Sequence, residues 1–195
     1  MDDLTQIKAA ARKAAFARRK DAKSTGNDAA AVAHLLEAVL PFKGRALAGY
    51  MPIRTEVDPM PVMAAMAAWG PVAVPVIKGA GLPLEFHRWE PGCDMHEGTF
   101  GAYIPVNAEV VVPDVLIVPL VAFDRGGGRL GYGGGFYDRT LEGLRARGQV
   151  TALGYAFAAQ EASDLPLEPT DQPLDGVVTD QGVLRMSGNK PRSAS

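Results

Sequence analysis

Apolar and polar positions recur along this chain with two periods, and the elements follow from which period holds where. Over 4–23 the spacing is helical: Leu4, Ile7, Ala11, Ala14, Ala15 and Arg18 return about every 3.6 residues in an alanine-rich stretch. After a break at 24–27, Asn27 or Asp28 can cap a second helix over 28–40. That helix buries Val32, Leu35, Leu36, Val39 and Leu40, and Pro41 and Gly44 end it. Residues 46–51 read as a short strand. Asp58 as N-cap with Pro59 in the first helical position predicts a third helix running to about Trp69.

The period then shifts. Residues 72–77 are apolar and β-branched, 84–89 alternate, and 115–119 form the plainest buried strand of the chain. Between them, 91–113 shows little periodicity and reads as a long loop. A glycine loop over 126–135 precedes a helix over 136–147, with late strands at 150–156 and 176–179. Residues 186–195 are polar and are expected to be a disordered tail. Strands alternating with helices predict an α/β fold, a mostly parallel sheet with helices on both faces. The expectation is a three-layer Rossmann-like single domain over 1–185, with ligands beyond the carboxyl ends of its strands.

Composition narrows the function classes. The 195 residues are 47% hydrophobic, as a globular core requires. Lys+Arg 20 against Asp+Glu 22 gives a formal charge of -2, without the basic excess of a broad nucleic-acid surface. Cys93 is the single cysteine, so no internal disulfide forms. No apolar stretch has the length or continuity of a secretory signal or a membrane span. The expectation is a soluble, cytoplasmic protein, monomeric or weakly dimeric, that binds neither nucleic acid nor membrane.

The segment over 113–141 carries the chemistry. A buried strand leads into glycines at 126–128, 131 and 133–135, and a helix follows. Glycines permit close backbone approach, so successive N–H groups can converge on an anion, and the helix N-terminus adds partial positive charge. Arg129 lies inside the run and Asp138 just past it, where a carboxylate can hold Mg²⁺ beside phosphate. A plain surface turn is the alternative. Gly126, Gly128 and Gly131 formally satisfy the dinucleotide spacing, but the helix starts too late for that fingerprint, and no Walker-type loop occurs. His87, Cys93 and His96, with Asp94 and Glu97, match no standard zinc spacing. His34 reads as ordinary packing.

The run Arg129–Asp138, RLGYGGGFYD, resembles the signature loop of the 5-formyltetrahydrofolate cyclo-ligase (methenyltetrahydrofolate synthetase) family, with Phe136 where a tyrosine is usual. The resemblance extends to Lys8 and Arg12, to YMPIRTEVDP at Tyr50–Pro59, and to Asp171, Asp175 and the strand after them. It departs at Thr170, where a histidine is usual, and at Ile104, where an acid is common. It implies ATP-dependent conversion of 5-formyltetrahydrofolate to 5,10-methenyltetrahydrofolate, with ATP as co-substrate and Mg²⁺. ATP would phosphorylate the formyl oxygen and N10 would displace phosphate.

By resemblance Lys8 and Arg129 act in catalysis. Lys8, Arg12, Arg129, Leu130, Gly131, Tyr132, Gly133, Gly134, Gly135, Phe136 and Tyr137 bind the nucleotide. Met51, Glu56 and Phe100 bind the folate together with Tyr132–Phe136, Glu56 accepting paired hydrogen bonds from the pterin; Asp138 and Asp171 hold the metal. From spacing alone Lys8 and Arg12 fit a solvated basic face shared with Lys13, Arg18, Arg19, Lys20 and Lys23. Likewise Asp138 fits a first-turn acid, Asp171 a turn residue, Met51 a core methionine, and Phe100 a packing residue. The other readings are a folate- or nucleotide-binding paralogue without activity, and a dinucleotide-dependent oxidoreductase.

Overall fold

The computed structural model describes residues 3–25 and 27–186, so the tail expectation for 186–195 lies outside the described residues except at Met186, which belongs to the fold: its N–H donates to the Asp175 carbonyl at 3.2 Å. The apolar segments pair as strands: β1 (Leu47–Ala48), β2 (Val72–Ile77), β3 (Leu84–Arg88), β4 (Met95–Glu97), β5 (Tyr103–Pro105), β6 (Val115–Pro119), β7 (Ala122–Phe123), β8 (Arg129–Leu130), β9 (Thr151–Tyr155), β10 (Gly176–Thr179) and β11 (Gly182–Arg185). Seven of them form the central sheet in the order β11-β10-β9-β6-β1-β2-β3. Its five inner strands are parallel, and β3 and β11 close the two edges antiparallel.

Both faces are covered, which is why β6 is apolar at every position. Val115 and Ile117 face the core built with α2 (Asp28–Val39) and α3 (Met60–Ala67). Leu116 and Val118 face the opposite core, with Leu141 of α4 (Phe136–Arg147). Asn27 caps α2, its Oδ1 accepting from the Ala30 N–H at 3.0 Å. His34 anchors the same helix to β10, its Nδ1 lying 2.9 Å from the Thr179 carbonyl oxygen. Helix α3 starts one residue later than expected: Asp58 does bond the first free N–H, that of Met60 at 2.8 Å, but Pro59 occupies the cap position.

Three local expectations change. The strand expected at 46–51 contracts to β1, because the chain turns away after Ala48 to form a loop. The stretch 91–113 contains the hairpin β4–β5 around a 3-10 turn at Thr99–Gly101. The glycine run is divided by β8, which pairs antiparallel with β7. The N–H groups of Gly126 and Gly128 both go to Asp124 Oδ1, each at 2.8 Å, so these glycines close a hairpin and do not join an anion loop.

Helix α1 (Asp3–Thr25) lies against that hairpin, with Ala15 packed on Val121, Ala122 and Leu130. Its inward face runs through Lys8, Arg12, Ala15, Arg19 and Ala22. Of the expected apolar stripe, Ala11 and Ala15 pack inward, whereas Leu4 is 39% and Ile7 46% exposed. Among the described residues no helix is long and apolar enough to cross a membrane. The order of the sheet reverses at β1, with β2 on one side and β6 on the other. A crevice opens at such a point beyond the carboxyl ends of the strands.

Candidate active site

A cavity of about 1470 Å³ fills that crevice. Its floor is Tyr50 and Met51 after β1, Val76 and Ile77 ending β2, and Pro119 ending β6. Every residue from Arg129 to Asp138 lines it, with Lys8 and Arg12 from α1, Glu56, Phe100 and Asp171. Single-ligand sites run to about 300–1,000 Å³, so this one has room for two small molecules side by side.

One end carries the glycine loop together with Lys8, Arg12 and Arg129. The loop 131–135 leads into the N-terminus of α4, where Gly135 is the cap at φ 64 in the left-handed region. Arg12 crosses beneath the loop: its Nε donates to the Gly131 carbonyl at 2.9 Å. Gly133 has φ +102, and a Cβ there would lie 3.3 Å from the Arg12 guanidinium carbon. Lys8 pairs with Glu168 and, at 3.3 Å, with Asp171. Leu130, though it lines the cavity, packs in the core under α1 with Ala15, Val121 and Ala122.

Arg129 is buried and already engaged. It donates to Asp138 Oδ1 at 2.7 Å and to the Gln172 carbonyl, while the Gln172 N–H donates to the same Asp138 oxygen at 2.9 Å. Arg129 thus fastens the glycine loop to the 171–172 turn. Two of its five N–H groups are used in these bonds. Asp138 Oδ2 and Asp171 Oδ1 carry no hydrogen bond among the described residues, whose ligating side chains form no group of three or more around one point. Two carboxylate oxygens suit a hard cation that takes its remaining ligands from phosphate and water. By donor chemistry these two residues fit a hard cation such as Mg²⁺.

The other end centres on Glu56, which is buried. Its Oε2 accepts from the Ile53 N–H at 2.9 Å and its Oε1 from the Tyr132 hydroxyl at 3.0 Å. Burial raises its pKa above the usual 4.5, opposed by those two hydrogen bonds and by Arg19 and Arg54. Burial and the Glu56 charge push Tyr132 up to about 12. The Tyr132 ring packs on Phe16, centroids 5.5 Å apart. Tyr137 lines the cavity with a buried hydroxyl that has no hydrogen-bond partner among the described residues. Phe100, 74% exposed at the tip of the β4–β5 hairpin, projects at the rim with φ 60.

Sequence reasoning missed two arginines here. Arg54 lines the cavity in a left-handed conformation, φ 55, that a non-glycine residue holds only under strain. Arg19, read as part of a solvated face, is 1% exposed. Its signal was its place on one helical face with Lys8, Arg12 and Ala15.

A doubly covered α/β sheet with a crevice at its switch point, beyond the carboxyl ends of the strands, defines the class of α/β proteins that bind small ligands there. Comparison with known proteins makes this particular. The model of the 5-formyltetrahydrofolate cyclo-ligase family matches residues 4–180. The 5-formyltetrahydrofolate cyclo-ligase of Escherichia coli (strain K12) is 35% identical over 162 residues, 78% of this chain and 81% of that protein. The Haemophilus influenzae protein of the same name is 43% identical over 96 residues, about half of each chain. The structure of Aquifex aeolicus 5,10-methenyltetrahydrofolate synthetase superposes with a TM-score of 0.75 at 29% identity, covering 97% of this chain and 96% of that one. The chain belongs to the 5-formyltetrahydrofolate cyclo-ligase family, a family of ligases.

Proposed function

We propose that this chain converts 5-formyltetrahydrofolate to 5,10-methenyltetrahydrofolate at the expense of ATP. The observation that carries the reading is the two-ended cavity, with a glycine loop and cations at one end and a buried carboxylate at the other.

An amide-type formyl oxygen is a poor leaving group, and transfer of the γ-phosphoryl group to it makes a good one. The N10 nitrogen then attacks the formyl carbon and loses its proton, a C–N bond forms, and the C–O bond breaks to release phosphate. Positioning and charge neutralisation dominate such chemistry. Lys8, Arg12 and Arg129 neutralise the phosphates, and the N–H groups of 131–135 and the α4 N-terminus orient them. Asp138 and Asp171 hold the Mg²⁺ that accompanies ATP. Glu56 accepts the pterin N–H pair, while Met51, Tyr132, Phe136 and Phe100 flank the ring system.

Purified protein mixed with 5-formyltetrahydrofolate, Mg²⁺ and ATP is expected to develop the near-ultraviolet band of the methenyl product, and to develop none without ATP. No band, with both ligands still binding, would identify a binding paralogue instead. Two variants test the phosphate end. Lys8→Met is expected to raise the KM for ATP about tenfold, roughly 1.4 kcal/mol of lost binding, and to leave the KM for folate unchanged. Gly133→Ala forces a side chain into a positive-φ position against Arg12. Thermal unfolding should show about 1–2 kcal/mol of lost stability, and ATP titration a raised KM.

A further inference from the structure

We propose that Arg19 is a positioning residue for folate recognition: it locks Tyr132 and Glu56 into one unit that presents the Glu56 carboxylate to the cavity. The proposal rests on the reading of Glu56 as the folate anchor.

Arg19 is the largest fully buried side chain among the described residues. A buried guanidinium persists only where partners replace its water. Its partners come from three segments that the sequence keeps far apart. Its Nε donates to Thr55 Oγ1 at 3.0 Å, its Nη2 to the Tyr132 hydroxyl at 2.9 Å, and its Nη1 to the Leu120 carbonyl at 3.5 Å. Nη1 also lies 3.9 Å from Glu56 Oε1. Arg19 is absent from the cavity lining, so it acts on a ligand only through others.

The donor–acceptor pattern fixes a direction. Arginine can only donate. The Tyr132 oxygen therefore accepts from Arg19, and its single proton points to Glu56 Oε1, 3.0 Å away. The Ile53 N–H holds the other carboxylate oxygen. Glu56 thus cannot rotate without breaking both bonds, and its remaining lone pairs are left for a ligand's N–H groups. The charged and titratable groups that face it are Arg19 from α1, Arg54 and Tyr50 from its own loop, and Tyr132 and Tyr137 from the glycine loop. Arg54 is solvent-exposed, which leaves Arg19 as the buried countercharge. Desolvation already favours a protonated Glu56, and removing Arg19 favours it further.

The test is the Kd of 5-formyltetrahydrofolate, by calorimetric titration from pH 5.5 to 8.5, for wild type, Arg19→Met, Arg19→Lys, Glu56→Gln and the Arg19→Met/Glu56→Gln double variant. Arg19→Met is expected to weaken folate about tenfold or more at pH 7.5, with the Kd for ATP unchanged, and to move the acid-side loss of affinity to higher pH. Arg19→Lys restores part of both effects. The double variant binds no worse than Glu56→Gln alone, because the two residues act as one. A folded Arg19→Met protein with wild-type affinity and pH profile, beside a Glu56→Gln protein that binds weakly, overturns the role of Arg19 alone. A Glu56→Gln protein with wild-type affinity overturns the reading of Glu56, and the proposal with it. If Arg19→Met does not fold, Tyr132→Phe decides: it cuts the same link while leaving Arg19 in place, and an unchanged acid limb overturns the proposal.

Discussion

Turnover is expected to fall by about a thousandfold or more when Arg129 is replaced by alanine, on the scale of removing an arginine from a transferring phosphoryl group. Two losses combine. The guanidinium and its charge leave the glycine-loop end of the cavity. The clamp between Asp138 and the Gln172 carbonyl also opens, so the carboxylate proposed to hold Mg²⁺ loses its fixed position. The second loss extends to stability, because the half-buried Asp138 keeps only the Gln172 N–H. About 2 kcal/mol is expected in thermal unfolding, the scale of one hydrogen bond to a charged group. Arg129→Lys separates the two effects: it keeps the charge but cannot bridge both partners. Its stability should resemble that of the alanine variant, with turnover between the two. If Arg129→Ala retains more than a tenth of wild-type turnover while the protein stays folded, phosphate is handled elsewhere in the cavity.

The parts of this site that were readable from sequence are those where one residue type has one physical use. Residues 115–119 had to be buried on both faces, and 115–118 are, with Pro119 half-buried at the cavity. A glycine loop between a strand and a helix had to offer backbone N–H groups, and 131–135 line the cavity. The division of the glycine run was not readable, since glycine itself does not reveal its partner. Asp124 takes the N–H groups of Gly126 and Gly128, and only the fold brings Leu130 beside Ala122. The face of α1 is legible only in part: Ala11 and Ala15 of the expected stripe do pack inward, but alanine marks a buried face weakly, and Leu4 and Ile7 draw the stripe away from the line through Arg19 and Ala22. The burial of Arg19 depends on Thr55 and Tyr132, which no helical period can announce. The hairpin β4–β5 escaped notice because three-residue strands are too short to show an alternation.

Folate affinity is expected to fall about 10²–10³-fold in Glu56→Gln, with ATP affinity unaltered. A carboxylate that receives two ligand N–H groups makes two charge-assisted bonds of about 1.5–3 kcal/mol each. An amide can accept only at its oxygen and presents an NH₂ where the second acceptor stood. The pH dependence gives an independent check. The binding form is the ionised one, and burial raises the Glu56 pKa above 4.5. Affinity in the wild type should therefore be full above the raised pKa and decline on acidification at a higher pH than an ordinary exposed glutamate would require. In Glu56→Gln that acid limb should be missing. The stability consequence has the opposite sign. A raised carboxylate pKa means that the folded protein binds this proton more tightly than the unfolded chain does. Between 4.5 and the raised value the contribution of this group to stability accordingly falls as pH rises, and below 4.5 the penalty vanishes. Glu56 therefore opposes folding at the pH where it binds best, and the Ile53 N–H, the Tyr132 hydroxyl and Arg19 make that arrangement tolerable. A Glu56→Gln protein that kept the acid limb would place the titrating group elsewhere in the cavity and remove Glu56 from folate recognition.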